Sequence, residues 1–181
     1  MKKLSKKEKS RLKIMHAAKG LFEEYGPDGV TFSQIADVAD VCRTTVFNHF
    51  SGTRELLLAL VCQEISDITE FCGERDLKGK DLVFALFDKL IEDTALYPAL
   101  TGRLINNAVL SSGKENPVTI IEKLTAKGLT QAGVCGEDIE RKVIAVEGTY
   151  FGLVNHYHIN NKVFDAEVMK KEFHSLLEDR I

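Results

Sequence analysis

The chain has 181 residues, 44% of them hydrophobic and 28% charged, with only three prolines. This balance excludes wholesale disorder and leaves little room for a long linker. The net charge of −3 is unevenly spread: residues 1–55 carry +3 and the remainder −6, and residues 1–19 alone carry +7. A basic end on an acidic body points to a polyanion held at the N-terminus, with a solvated basic tail as the alternative.

The longest aliphatic run, Leu56 to Val61, is far short of a membrane span. The basic stretch from Lys2 to Lys13 is followed by Lys19, Glu23 and Glu24 rather than by the apolar core of a signal peptide. A cytoplasmic protein without a membrane partner is expected. Cys42, Cys62, Cys72 and Cys135 follow no metal-ligand spacing. Cys62 and Cys72, ten residues apart on one expected helix, stand about 15 Å from each other, too far to bridge.

Helical periodicity runs through the chain. Ile14, Ala18, Leu21, Phe22 and Tyr25 form one stripe of an amphipathic helix, stopped by Gly26 as a left-handed cap and by Pro27. Asp28-Gly29 makes a turn. Thr31-Phe-Ser-Gln34 is a capping box opening a short helix with Ile35, Ala36 and Ala39 on its apolar side. A second short helix is predicted over 43–50 and a long one over 53–72, closed by Gly73. Further helices fit 80–97, 99–111, 117–132, 138–159 and 165–180. No segment alternates with period two over strand-forming residues. The expectation is an all-α protein of about nine helices.

Two short helices joined by a tight turn, behind a longer helix with a basic lead, form a helix-turn-helix. On the second, Val46 and Phe50 share an inward face. Thr44, Thr45 and Asn48 point outward, flanked by Arg43, Phe47 and His49. Hydroxyls, an amide and an arginine suit base edges in a major groove. Three β-branched residues in succession, Thr44 to Val46, weaken so short a helix without an obvious structural return.

The segment from Thr31 to Phe50, TFSQIADVADVCRTTVFNHF, followed by Arg54-Glu-Leu-Leu57, resembles the DNA-binding segment of the TetR family of transcriptional regulators. The resemblance covers roughly residues 10–60. It implies that residues 43–50 are the recognition helix, with Thr45 and Asn48 placed for base or phosphate contacts. It also implies that Thr31 presents its hydroxyl and amide to a phosphate, as suits a helix start. Phe47 replaces a tyrosine and loses that residue's phosphate contact. Thr44 stands where a small residue is common. Asp40 replaces a turn glycine, tolerating the left-handed conformation at some cost. Cys42 replaces a serine cap, and Arg54 supplies the charge of a lysine often found at Thr53. The DNA-binding set is therefore Thr31, Arg43, Thr44, Thr45, Phe47, Asn48, His49 and Arg54.

The resemblance also implies a division at 52/53, with residues 1–52 binding double-stranded DNA. Residues 53–181 would bind a small-molecule effector and form a homodimer. From the residues themselves, Gly148 and Gly152 share one helical face and allow close approach of another helix, within the molecule or across a dimer. Ala145, Phe173, Leu176 and Leu177 complete the expected dimer seam. Candidates for an apolar ligand pocket with a few polar groups are Phe84, Phe87, Leu104, Asn107, Tyr150 and His156. His156 and His158 lie 200° apart on a helix and cannot share a metal there. No phosphate loop, nucleophile elbow or paired-carboxylate motif is present, so neither an enzyme, a metal nor a cofactor is expected. The expected function is a dimeric repressor released from a palindromic operator by its ligand. The alternatives are an architectural or partner-recruiting DNA-binding protein without a ligand, and a thiol or metal sensor.

Overall fold

The computed structural model describes residues 5–109, 118–178 and 181, with side chains for all of these but 106–109. Among the described residues every regular element is helical: α1 (Lys6–Tyr25), α2 (Phe32–Ala39), α3 (Arg43–His49), α4 (Thr53–Glu74), α5 (Gly79–Leu96), α6 (Pro98–Val109), α7 (Val118–Gln131), α8 (Asp138–Ile159) and α9 (Ala166–Leu177), with one 3-10 turn at Pro27–Gly29. The chain divides into two compact units, Met1–Gln63 and Glu64–Ile181. The division falls inside α4, whose first turns carry buried Leu56 and Leu60.

In the first unit, α1 begins well before the stripe that reveals it in sequence. Ser5 accepts a hydrogen bond from the Glu8 amide while Glu8 accepts from Ser5 N–H at 2.7 Å, a reciprocal cap that anchors the helix at Lys6. Ile14, Ala18 and Phe22 are buried, whereas Tyr25 is exposed at the last turn. Gly26 has φ 76° and ψ 156°, a mirror-extended conformation open essentially to glycine, rather than the expected left-handed helical one. Thr31 and Gln34 form the expected box at the start of α2. Asp40 ends that helix at φ 53°, ψ 53°. The Val41 amide reaches back to Ala36 O and the Asp40 amide to Asp37 O, so a Schellman-type closure is built around an aspartate.

In the second unit, α5 packs between α7 and α9, and α8 packs against α7, α6 and α9. The core is aromatic at its centre. Phe87 stacks on Phe173 at 5.2 Å and meets the edge of Tyr150 at 5.7 Å. Two polar ties join α9 to α5: Lys170 to Glu92 at 2.6 Å and His174 to Asp88 at 2.7 Å. α4 runs one residue past Gly73, and the positive φ that follows is taken by Asp76. No described helix is long and apolar enough to cross a membrane.

Candidate nucleic-acid interface

The expected recognition helix, α3, is held from one side and exposed on the other. Val46 and the following Phe50 are buried, the first completely, which fixes the inward face of α3. Arg43, Thr44, Phe47 and Asn48 are exposed and Thr45 is half-buried. One side of a seven-residue helix thus presents a guanidinium, a hydroxyl, an aromatic ring and an amide. Phe47 is 49% exposed. Its ring is not loose, for it rests 5.0 Å from Phe32 of α2 and lies under the Arg43 guanidinium at 5.3 Å. That contact pre-orients Arg43 along the exposed face.

Cys42 stands at the N-cap of α3 without a side-chain hydrogen bond, as expected for a poor capping residue. Thr31 and Arg54 are exposed at the starts of α2 and α4. The Thr31 hydroxyl donates to Gln34 Oε1 at 2.8 Å, leaving its oxygen rather than its proton toward the helix amide. Lys6, Lys9 and Lys13 share an outer face of α1 and all are exposed.

His49 departs from the sequence expectation. Its Nε2 lies 2.8 Å from Ser10 Oγ of α1, so that nitrogen is already engaged within the protein. Burial, then the nearby Arg11 and Lys7 charges, hold the imidazole below its usual range. A neutral, tied histidine is a poor direct phosphate ligand.

In the second unit the expected ligand residues separate. Phe87 and Tyr150 are buried together, and the Tyr150 hydroxyl meets Thr94 Oγ1 at 2.8 Å, with burial raising its pKa. Phe84 is half-buried and lies 4.4 Å from the His174 ring, and Leu104 is half-buried on α6. His156 is not with them. It is exposed and its backbone and ring engage Asn160, because six residues along α8 turn it 120° away from Tyr150. Asn107 lies outside the described side chains.

The expected dimer set is likewise divided. Phe173 and Leu177 are completely buried within the chain itself, since α9 turns them toward α5 and α8, and they leave no surface for a partner. Leu176 is exposed, Ala145 half-buried, and Gly148 and Gly152 exposed. A Cβ added at either glycine would meet nothing within 4 Å. With Ile144 at 63% and Ile159 at 79% exposure, the outer face of α8 is a mainly apolar stripe of low relief, interrupted by exposed Asn155.

One buried group was not anticipated. Glu147 falls on the inner face of α8, in line with Val143, Tyr150 and Val154, and its Oε1 is buried without a hydrogen-bond partner among the described residues. Burial, reinforced by Glu122 of α7, pushes its pKa up to about 7. The folded state therefore keeps a proton that the unfolded chain releases near 4.5, and stability falls as pH rises from about 4.5 through 7. Allowing for partial solvent exposure, the loss is about 1–2 kcal/mol. Glu147→Gln is expected to flatten the pH dependence of thermal stability between pH 5 and 8 and to raise the melting temperature at pH 8. An unchanged slope would rule out this origin.

Among the described residues all four cysteines are free, Cys72 buried and the others exposed, and no group of three or more His, Cys, Asp or Glu converges on one point.

Residues 14–60 match the family model for bacterial regulatory proteins of the tetR family. Over this segment the chain is similar to regulators of the TetR family. An uncharacterized HTH-type transcriptional regulator of Mycobacterium tuberculosis is 26% identical over 121 residues, 64% of this chain and 62% of that protein. The transcriptional repressor AcnR of Corynebacterium glutamicum is 26% identical over 95 residues, 52% of this chain and 47% of that one. The chain thus spans less than two thirds of the length of these relatives. Its fold is that of solved TetR structures. The fatty acid degradation regulator FadR of Bacillus halodurans aligns with a TM-score of 0.77 at 18% identity, covering 97% of this chain and 96% of that one. Thermus thermophilus FadR, solved in complex with lauroyl-CoA, aligns with a TM-score of 0.61 at 24% identity, covering 94% and 95%.

Proposed function

We propose that this protein is a sequence-specific transcriptional regulator: a homodimeric repressor that binds a palindromic operator and is released by a small-molecule effector. Residues 1–52 would read DNA and residues 53–181 would bind the effector and the second subunit. The observation that carries this is the exposed set Arg43, Thr44, Phe47 and Asn48 on a helix whose other side is locked by Val46. Beyond the seating of Phe47 on Phe32 and of Arg43 on Phe47, such a set suits base edges and phosphates. Thr31, Thr45 and Arg54 complete the interface. Effector binding would favour a conformer whose recognition helices no longer fit successive major grooves. Phe87 and Tyr150, with Phe84 and Leu104, are the proposed effector-facing residues. A structural neighbour holds lauroyl-CoA, so acyl-CoA thioesters are the first compounds to screen.

Selection of binding sites from a random duplex pool at moderate salt tests the DNA reading. An enriched palindrome is expected, and a pool that stays random would overturn it. On the selected site, Asn48→Ala is expected to cost about 1–3 kcal/mol and to relax the preference at one base position. Replacing Lys6, Lys9 and Lys13 together by Ala should instead weaken specific and random duplexes alike and flatten the salt dependence, by about 0.9 in log–log slope per lost contact. Equal loss on both duplexes for Asn48→Ala would remove it from base readout.

A further inference from the structure

His49 lies at the C-terminal end of α3, and Ser10 and Arg11, which engage it by hydrogen bonds, both come from α1. The Ser10 hydroxyl has a single proton, and it is donated to the Lys7 carbonyl oxygen at 2.9 Å. Ser10 Oγ is then the acceptor toward the ring nitrogen 2.8 Å away, which makes His49 the Nε2–H donor. The order of donors therefore runs from His49 through Ser10 to Lys7 and fixes the imidazole tautomer. The next residue of α1 after Ser10, Arg11, donates to the His49 carbonyl at 3.4 Å, and its guanidinium sits 4.3 Å from the centre of the Phe50 ring. Arg11 also bears electrostatically on Glu55, whose carboxylate accepts from the Ser51 amide and hydroxyl where α4 begins. A cation at the end of α3 answers the unsatisfied carbonyls and the negative pole of that helix.

The opposite end of α3 has no comparable tie, because Cys42 contributes no side-chain cap. So the seven-residue helix is gripped by polar contacts at its C-terminal end and by the apolar seats of Val46 and Phe50. We propose that Ser10, Arg11 and His49 form a positioning clasp that sets the angle of the recognition helix against the basic outer face of α1, so that His49 governs sequence discrimination through Ser10 rather than by touching DNA. This rests on the DNA-binding function proposed above. Lys6 and Lys13 flank Ser10 at i−4 and i+3 on α1, Lys9 stands beside them, and Arg11 turns away from these lysines. A phosphate backbone gripped there would fix α1, and the clasp would pass that placement on to Thr44 and Asn48. Hydrogen bonds suit this task better than apolar contacts because they are directional.

The test uses the full chain as wild type, Ser10→Ala, Ser10→Thr and His49→Gln, whose amide nitrogen can occupy the place of Nε2. Two duplexes of equal length are compared: the site selected by wild type and a scrambled sequence. Ser10→Ala is expected to weaken the selected site about three- to tenfold while leaving the scrambled duplex and the salt slope unchanged, since no cation is lost. Ser10→Thr and His49→Gln should retain discrimination. Nitrogen-15 spectra of the imidazole should show the Nε2–H tautomer in wild type and a mixture in Ser10→Ala. Equal loss on both duplexes, or unchanged discrimination in a folded Ser10→Ala protein, would overturn the clasp alone. Failure of the wild type to select any site would overturn the DNA-binding function and the clasp with it.

Discussion

Gly152→Arg is expected to yield a folded monomer that has lost most of its affinity for a palindromic site. Gly152 is exposed on α8, and a side chain added there meets open space within the protomer, so the fold should tolerate it. Leaving glycine even favours the helix, by up to about 1 kcal/mol. What it removes is the low relief of the stripe formed by Ile144, Gly148, Gly152 and Ile159, the surface through which the proposed dimer would close. A long cation every four residues from a small one would hold a second helix away and bury an unpaired charge in any attempt to pack. Two reading heads on one palindrome gain from effective concentration, and separating them forfeits on the order of 10²–10⁴ in affinity. Sedimentation gives the mass, and titration of the selected duplex gives the loss. A variant that remains dimeric with unchanged affinity would move the dimer surface elsewhere.

Gly128→Ala is expected to destabilise the helical unit although it adds only one methyl group. Gly128 is buried where α7 crosses α5, and a Cβ there would stand 2.7 Å from a Val83 methyl and 2.9 Å from the Gly79 carbonyl oxygen. The methyl can rotate away, but the carbonyl belongs to the backbone of the first turn of α5, so the two helices must part. Their separation also strains the bond from the Gly79 amide to Gln131 at 3.2 Å, which caps α5 from across the contact. Overpacking of this kind costs about 1–3 kcal/mol, a fall of about 2–10 °C in melting temperature for a chain of this size. Gly20→Ala supplies the control, since Gly20 is exposed in α1 with open space around it. There the same change should stabilise, by about 0.5–1 kcal/mol. Equal effects at the two positions would show that helix propensity, not the α5–α7 contact, sets the cost.

Much of this was readable along the chain, for local reasons. The Thr31–Gln34 box, the left-handed Asp40 turn and the inward placement of Val46 and Phe50 depend on residues within one or two turns of each other, so periodicity and capping chemistry are sufficient. The reciprocal cap of Ser5 and Glu8 was equally local and could have been found from its spacing. The basic N-terminal run and the resemblance over residues 10–60 likewise pointed to nucleic acid before any fold was drawn.

What periodicity cannot decide is which apolar face meets which partner. Phe173 and Leu177 read as seam residues, yet α5 and α8 bury them inside the chain, leaving the small and aliphatic stripe of α8 uncovered. His156 and Tyr150 share a helix but point 120° apart. Glu147 looks like an ordinary surface acid until α7 brings Glu122 beside it and excludes water from one oxygen. His49 looked like a contact to DNA until the fold placed Ser10, 39 residues earlier, within 2.8 Å of its ring. The sequence alone determined most of the helices and marked the candidate reading helix, because those follow from interactions a few residues apart. Only the tertiary structure decided the ties between α1 and α3, the buried carboxyl and the free face of α8, because each depends on groups brought together from distant parts of the chain.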